Sequence, residues 1–191
     1  MMKSSVLFAL TAFILSLNAQ ASQTLEGVWL RPCHTQSLQV QEFSGELSSL
    51  TELFFEDASC SSPFLAFFND GTVQTNQNEM NFKFQKVFIK LYADNLVQDF
   101  NQRAVCGIKD WKKSSLQEIT GLSCALFQNR KSIQVPRAGD MRYGIWKIEN
   151  SLLYFGQLTP EKNGLTPEKR PNTWDPRSYK KTNVNILEHD Q

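Results

Sequence analysis

Histidine is scarce in this chain of 191 residues, which has two, His34 and His189, and several signatures of catalysis are missing outright. There is no Gly-x-Ser-x-Gly elbow to expose a nucleophilic serine, and no Gly-rich loop to cradle a phosphate. None of the four cysteines is spaced as Cys-x-x-Cys, and two histidines leave a zinc site short of ligands. Glu56 and Asp57 are adjacent, so on a strand they point to opposite faces and do not make a pair of acid and base carboxylates. An excess of one charge is also lacking. Lys plus Arg number 20 against 19 Asp plus Glu, and loss of a leader containing Lys3 brings the first count to 19 as well. Neutrality of this kind gives no electrostatic basis for binding nucleic acid. The expectation is a protein with no catalytic residues, no metal and no other cofactor.

The chain has one long apolar run, from Val6 to Leu17, preceded by Lys3 and followed by Ala19-Gln20-Ala21. A charged start, an apolar middle and a small-residue cleavage site are the parts of a secretory signal. The run is 12 residues long, against the roughly 20 that a spanning helix needs. Ser22, where a lipoprotein has cysteine, disfavours a lipid anchor. Residues 1–21 therefore read as a signal peptide, 22–181 as a single domain and 182–191 as a disordered tail, in a secreted or periplasmic protein without stable membrane insertion.

Four cysteines in an exported chain read as two disulfides, with three possible pairings. Cys33–Cys60 and Cys106–Cys124 are expected, because each encloses a short stretch with its own turn signals. Closing loops of these lengths stabilises by roughly 3–4 kcal/mol each in the chain-entropy picture.

Short apolar segments separated by turn residues fill most of residues 25–92, a pattern of antiparallel strands. Leu25 to Leu30, Leu38 to Phe43, Leu50 to Phe55 and Phe64 to Phe68 are strand candidates, with Asn69-Asp70-Gly71 as a hairpin turn. Phe82, Phe84, Phe88 and Tyr92 fall on one face of the next strand. Its other face changes from Lys83 and Gln85 to Val87, Ile89 and Leu91, which predicts a strand covered on both sides or a bulge. Asp94 to Arg103 reads as one short helix capped by Asp94, with Leu96, Val97 and Phe100 at helical spacing. After a stapled connection and a short segment from Ile133 to Val135, Arg142 to Glu149 and Leu152 to Gln157 form a hairpin through Asn150-Ser151. The repeat Leu158-Thr-Pro-Glu-Lys162 and Leu165-Thr-Pro-Glu-Lys169 reads as an elongated loop.

Eight or more strands and one helix in a domain of this size predict an all-β fold, an antiparallel up-and-down barrel whose closure removes exposed edges. An immunoglobulin-like sandwich is the rival, but there a tryptophan lies between the paired cysteines, whereas Trp29 precedes Cys33. Phe54, Phe68, Phe84, Phe88, Trp146 and Tyr154 are the candidate ligand-binding residues. They line a cavity for an apolar molecule in one reading and fill a dry core in the other, since eight strands enclose a space that side chains can just fill.

The segment Leu25-Glu-Gly-Val-Trp29 resembles the Gly-x-Trp signature of the lipocalin-like (calycin) barrels. With Cys33, Phe54-Phe55-Glu56-Asp57 and Cys60-Ser-Ser-Pro63, residues 25–75 are similar to the extracellular domain of the adenomatosis-polyposis-coli-down-regulated family. The stretch from Ile145 to Gly156, followed by Thr166-Pro-Glu-Lys-Arg-Pro171, resembles the closing hairpin and tail of small secreted bacterial proteins of lipocalin-like type. This resemblance implies a bacterial, exported lipocalin-like barrel that binds a lipid or other small apolar ligand. The alternative it leaves open is a filled interaction module that binds a protein partner through its loops; an enzyme of unknown class comes last. It also implies that Trp29 closes one barrel end beneath a basic side chain of the last strand, with Lys180 or Lys181 in position where an arginine would be usual. Trp29, Cys33, Cys60, Cys106 and Cys124 are thus structural. If Trp29 seals a barrel end, Trp29→Ala should lower stability by about 3–5 kcal/mol in urea melts; a change well under about 1 kcal/mol would place Trp29 in an exposed loop.

Overall fold

The computed structural model describes residues 24–128 and 131–183. The segment 1–21 that is expected to be a signal peptide lies outside the described residues, as do residues 184–191 of the expected tail.

The first five strands, β1 (Gly27–His34), β2 (Ser37–Ser44), β3 (Leu47–Phe55), β4 (Pro63–Asn76) and β5 (Glu79–Leu91), are successive antiparallel neighbours. An excursion follows, containing helix α1 (Asp94–Arg103) and the short strands β6 (Leu116–Glu118), β7 (Ser123–Cys124) and β8 (Ile133–Gln134). The chain then returns with β9 (Met141–Glu149) beside β5, continues through β10 (Leu152–Phe155), and ends with β11 (Tyr179–Thr182) beside β1. Eight strands, β1–β5 and β9–β11, therefore close an up-and-down ring in chain order. A sandwich, which needs two separate sheets, does not fit this order. β11 extends through Thr182, one residue into the segment expected as tail.

Local chemistry sets the turns. Thr35 and Gln36 between β1 and β2, and Asn150 and Ser151 between β9 and β10, all have φ between 46° and 63°, the left-handed geometry of tight hairpins. β4 runs unbroken through Asn69-Asp70-Gly71, so the hairpin turn expected there is displaced to Gln77 and Asn78. What Gly71 marks instead is a bulge. Asp70 pairs with Lys86 while Gly71 pairs with Phe84, which leaves Gln85 as the extra residue of β5. A Cβ on Gly71 would stand 2.2 Å from the Lys83 carbonyl oxygen and 2.6 Å from Phe82 Cζ, so only glycine permits this approach.

The bulge reverses which residues of β5 face inward. Met80, Phe82 and Phe84 do so before it, and Val87, Ile89 and Leu91 after it, which sends Phe88 to the outer face. The single aromatic face of Phe82, Phe84, Phe88 and Tyr92 is accordingly divided.

Two hydrophobic clusters result. The lower one, around Trp29, Phe43, Met80 and Leu153, fills the barrel at the end of the β2–β3 and β9–β10 turns. The upper one joins the far halves of β4 and β5 to the excursion, through Leu65, Ile89 and Leu91 against Phe100, Trp111 and Ile119. Helix α1 spans the residues expected of it, but Ala93 occupies the N-cap and Asp94 instead bonds Lys113 at 2.7 Å. Phe100 anchors the helix edge-on to Trp111, with ring centroids 5.2 Å apart. The Cys106–Cys124 disulfide staples the turn after α1 to β7, and Cys33–Cys60 ties the end of β1 to the β3–β4 loop, as expected. Among the described residues no helix is long and apolar enough to cross a membrane.

Gly71→Ala should cost about 1–3 kcal/mol in urea melts, the scale of overpacking against a fixed backbone. A loss below about 0.5 kcal/mol would mean that β4 and β5 do not approach as described.

Candidate functional site

β1 and β11 join through three registered pairs, of which Trp29↔Lys181 is the central one. Lys181 Nζ lies 5.5 Å from the centre of the Trp29 ring, so Lys181, not Lys180, supplies the cation. Gly27 has φ +101°, and a Cβ on it would meet Lys181 Cε at 3.0 Å. The Gly-x-Trp spacing thus gives the lysine stem room to lie across the indole. Trp29 is 2% exposed, and its Nε1 donates to the Leu25 carbonyl oxygen at 2.6 Å.

Cross-strand partners share a face, so the inward set follows from Trp29 by register. Trp29 pairs with Gln41, Gln41 with Leu50, and Leu50 with Asn69. Arg31 pairs with Gln39 in the same way, and Phe82 with Arg142. Above the Trp29 cluster these residues surround a cavity of about 760 Å³, open at the end of the barrel that carries the β1–β2 turn and the long β10–β11 loop.

The wall formed by β5 is apolar, with Met80, Phe82 and Phe84, while Leu50 and Phe155 add apolar surface beside the polar residues of the neighbouring strands. Phe82 and Phe84 meet edge to face with centroids 4.8 Å apart, which fixes both rings. The other strands carry polar groups beside the apolar ones. Gln41 Nε2 donates to Ser48 Oγ at 2.7 Å, and both residues are buried. The Tyr179 hydroxyl donates to Gln39 Oε1, while Gln39 Nε2 donates to Glu52 Oε1 at 2.8 Å. Phe155 packs edge-on against Tyr179, and the Arg31 guanidinium lies 5.3 Å from the centre of the Tyr179 ring. At the mouth Asp175 contacts Arg177 at 2.5 Å and Arg31 at 3.9 Å.

These contacts shift two acids in opposite directions. Burial raises the Tyr179 phenol from its ordinary value near 10 to about 12. Hydrogen bonds from Arg177 hold the Asp175 carboxyl below the usual range against the opposing effect of burial, and the Arg31 charge adds to them.

The β10–β11 loop that forms part of the mouth is firmly held. Arg170 donates to the Gly144 and Met80 carbonyl oxygens at 2.6 and 3.1 Å and to Asn81 Oδ1 at 2.9 Å. Arg142 Nη1 donates to the Asn163 carbonyl oxygen at 2.8 Å. A smaller recess of about 400 Å³, bordered by Leu25, Phe43, Val73 and Trp146, lies at the opposite end. Among the described residues no three His, Cys, Asp or Glu side chains come together as a metal site.

Of the six aromatic residues singled out in the sequence, Phe84 lines the cavity. Phe54 packs on Phe67 beside the upper cluster. Phe68 and Phe88 are opposite one another across β4 and β5, on the outer face beyond the bulge. Trp146 packs on the lower cluster and borders the smaller recess. Tyr154 faces outward beneath Lys147, whose Nζ lies 5.2 Å from the rings of both Tyr154 and Trp174. The polar members of the cavity escaped the sequence reading. Their available signal was parity with Trp29, since Arg31 and Gln41 sit two residues along β1 and directly across β2.

Comparison with protein-family models found none that matches the chain, and comparison with curated proteins found no match.

The Tyr179 shift makes a pH-dependent contribution of definite sign. Between about pH 10 and 12 the unfolded chain gives up the phenolic proton while the folded one retains it, so stability falls as pH rises. The stability difference between the parent and Tyr179→Phe should shrink by roughly 2 kcal/mol across that window in urea melts. A difference independent of pH would show that Tyr179 titrates as an exposed phenol.

Proposed function

We propose that this is an exported, non-catalytic binding protein of lipocalin-like type, which carries or sequesters a small lipid-like molecule inside its barrel. The observation that carries the reading is the hollow upper half of the barrel. Its volume of about 760 Å³ lies within the roughly 300–1,000 Å³ of small-molecule sites. Apolar surface with a few polar groups beside it is the combination that such sites use to hold a body and orient a head. Export is supported by the signal-like order of residues 1–21, and two disulfides suit an oxidising compartment. The Trp29–Lys181 stack, on the spacing of the lipocalin-like signature, supports membership of that class.

The test is a titration of the purified protein with an apolar fluorescent probe, together with native mass spectrometry of protein taken from its own host. Saturable binding and a co-purified small molecule are expected. Leu50→Trp, which places bulk on the cavity wall, should weaken the probe by roughly tenfold or more while leaving the far-ultraviolet spectrum unchanged. A parent protein that binds no probe saturably and carries no molecule would overturn the reading in favour of a module that acts through its loops.

A further inference from the structure

The charge inside the cavity does not follow the charge of the protein. Over the full chain the acids and bases nearly cancel, at 19 and 20. Among the residues that line the cavity there are three guanidinium groups, Arg31, Arg142 and Arg177, against the carboxylate of Asp175, with Glu52 behind Gln39 as a second acid near the Arg177 end. Two of the three share the Asp175 carboxylate at the mouth.

Arg142 does not. It stands on β9 directly across from Phe82 of the apolar wall, and among the described residues no carboxylate is within ion-pair distance of it. Among the described residues its one protein acceptor is the Asn163 carbonyl oxygen, at 2.8 Å, although a guanidinium offers five N–H donors. Burial depresses its pKa, the mark of a cation short of water and of counter-charge. An uncompensated guanidinium beside aromatic rings is costly unless an anion joins it. Nothing comparable stands on the Gln41–Ser48 side, where the buried polar groups satisfy one another.

We propose that the ligand is a single-chain amphiphile ending in an anionic group, with the anion on Arg142 and the apolar chain along Phe82, Phe84 and Met80. This rests on the carrier reading and narrows it to one class of ligand. Carboxylate and phosphate heads share the chemistry, since each presents oxygens spaced for a guanidinium fork.

Displacement of the bound fluorescent probe by dodecanoate, dodecyl phosphate and 1-dodecanol tests the assignment, because the three share one chain and differ in the head. At least one anion should displace the probe at roughly 10- to 100-fold lower concentration than the alcohol, the range for a hydrogen bond to a charged group. The better of the two identifies the head. In Arg142→Gln this preference should fall to within about twofold, with the alcohol curve unmoved. Should Arg142→Gln lack the parent's β-sheet spectrum, Arg142→Lys takes its place and should keep a preference reduced several-fold, because a point charge replaces the fork. Equal displacement by all three compounds in the parent would overturn the anionic head while leaving the carrier intact. A preference that survives in Arg142→Gln and disappears in Arg31→Gln would move the head to the mouth and overturn the Arg142 assignment. No displacement by any of the three, with no saturable probe binding, would remove the carrier reading itself.

Discussion

The seam between β1 and β11 joins chain segments some 150 residues apart through only three registered pairs, and the barrel interior exists because that seam holds. An open sheet of eight strands would leave two free edges and no enclosed space. Main-chain bonds over so short a contact give limited stability, and the side chains make up the difference. Trp29 supplies a large buried surface at the centre of the seam, and Lys181 covers it from the opposite strand. Gly27, by lacking a Cβ, lets the lysine lie flat. Tyr179 adds a second link, from β11 across β1 to Gln39 of β2.

A second constraint acts at the bulge. β5 is long enough to serve two neighbours, β9 over its first half and β6 over its second. The extra residue at Gln85 increases the local twist, which lets the outer half of the β4–β5 hairpin leave the ring. The backbone of Phe84 marks the parting, for it bonds Asp140 and Gly139 in the loop that leads into β9. That half would expose Leu65, Ile89 and Leu91 were it not for the excursion, whose Phe100, Trp111 and Ile119 cover them. The excursion is therefore a packed cover stapled by Cys106–Cys124, and the cavity lies beside it rather than beneath a mobile loop.

Features written in local chemistry were legible in the sequence. The helix from Asp94, the Asn150-Ser151 turn, both cysteine pairings and the Gly-x-Trp spacing each depend on residues close together or on an even count of thiols. The cavity was harder to read, because its lining is defined by register across strands and not by any one segment. Gln39, Gln41, Ser48 and Arg142 look like solvent-facing residues in an alternating pattern, and only their pairing with Arg31, Trp29, Phe43 and Phe82 turns them inward. Phe88 shows the reverse failure. It keeps period with Phe82 and Phe84 along the chain, and one bulged residue sends it to the other face. A glycine inside an Asn-Asp-Gly tripeptide reads as a turn, yet at Gly71 the same residue serves the close approach of two strands.

The lower and upper halves of the interior obey different rules. Below, Trp29, Phe43, Met80 and Leu153 fill the barrel as side chains ordinarily do. Around the cavity, the inward positions carry Ser48, Asn69 and Gly144, which are too small or too polar to meet in the middle. Stability alone would favour bulkier apolar residues at these positions, since an unfilled interior forfeits dispersion contacts and an uncompensated guanidinium adds a desolvation cost. The closing seam and the packed excursion offset that cost from outside the cavity. Where a sequence otherwise consistent with its fold departs from close packing at one place, and lines that place with aromatic rings and polar donors together, the departure is what the proposed ligand site would require.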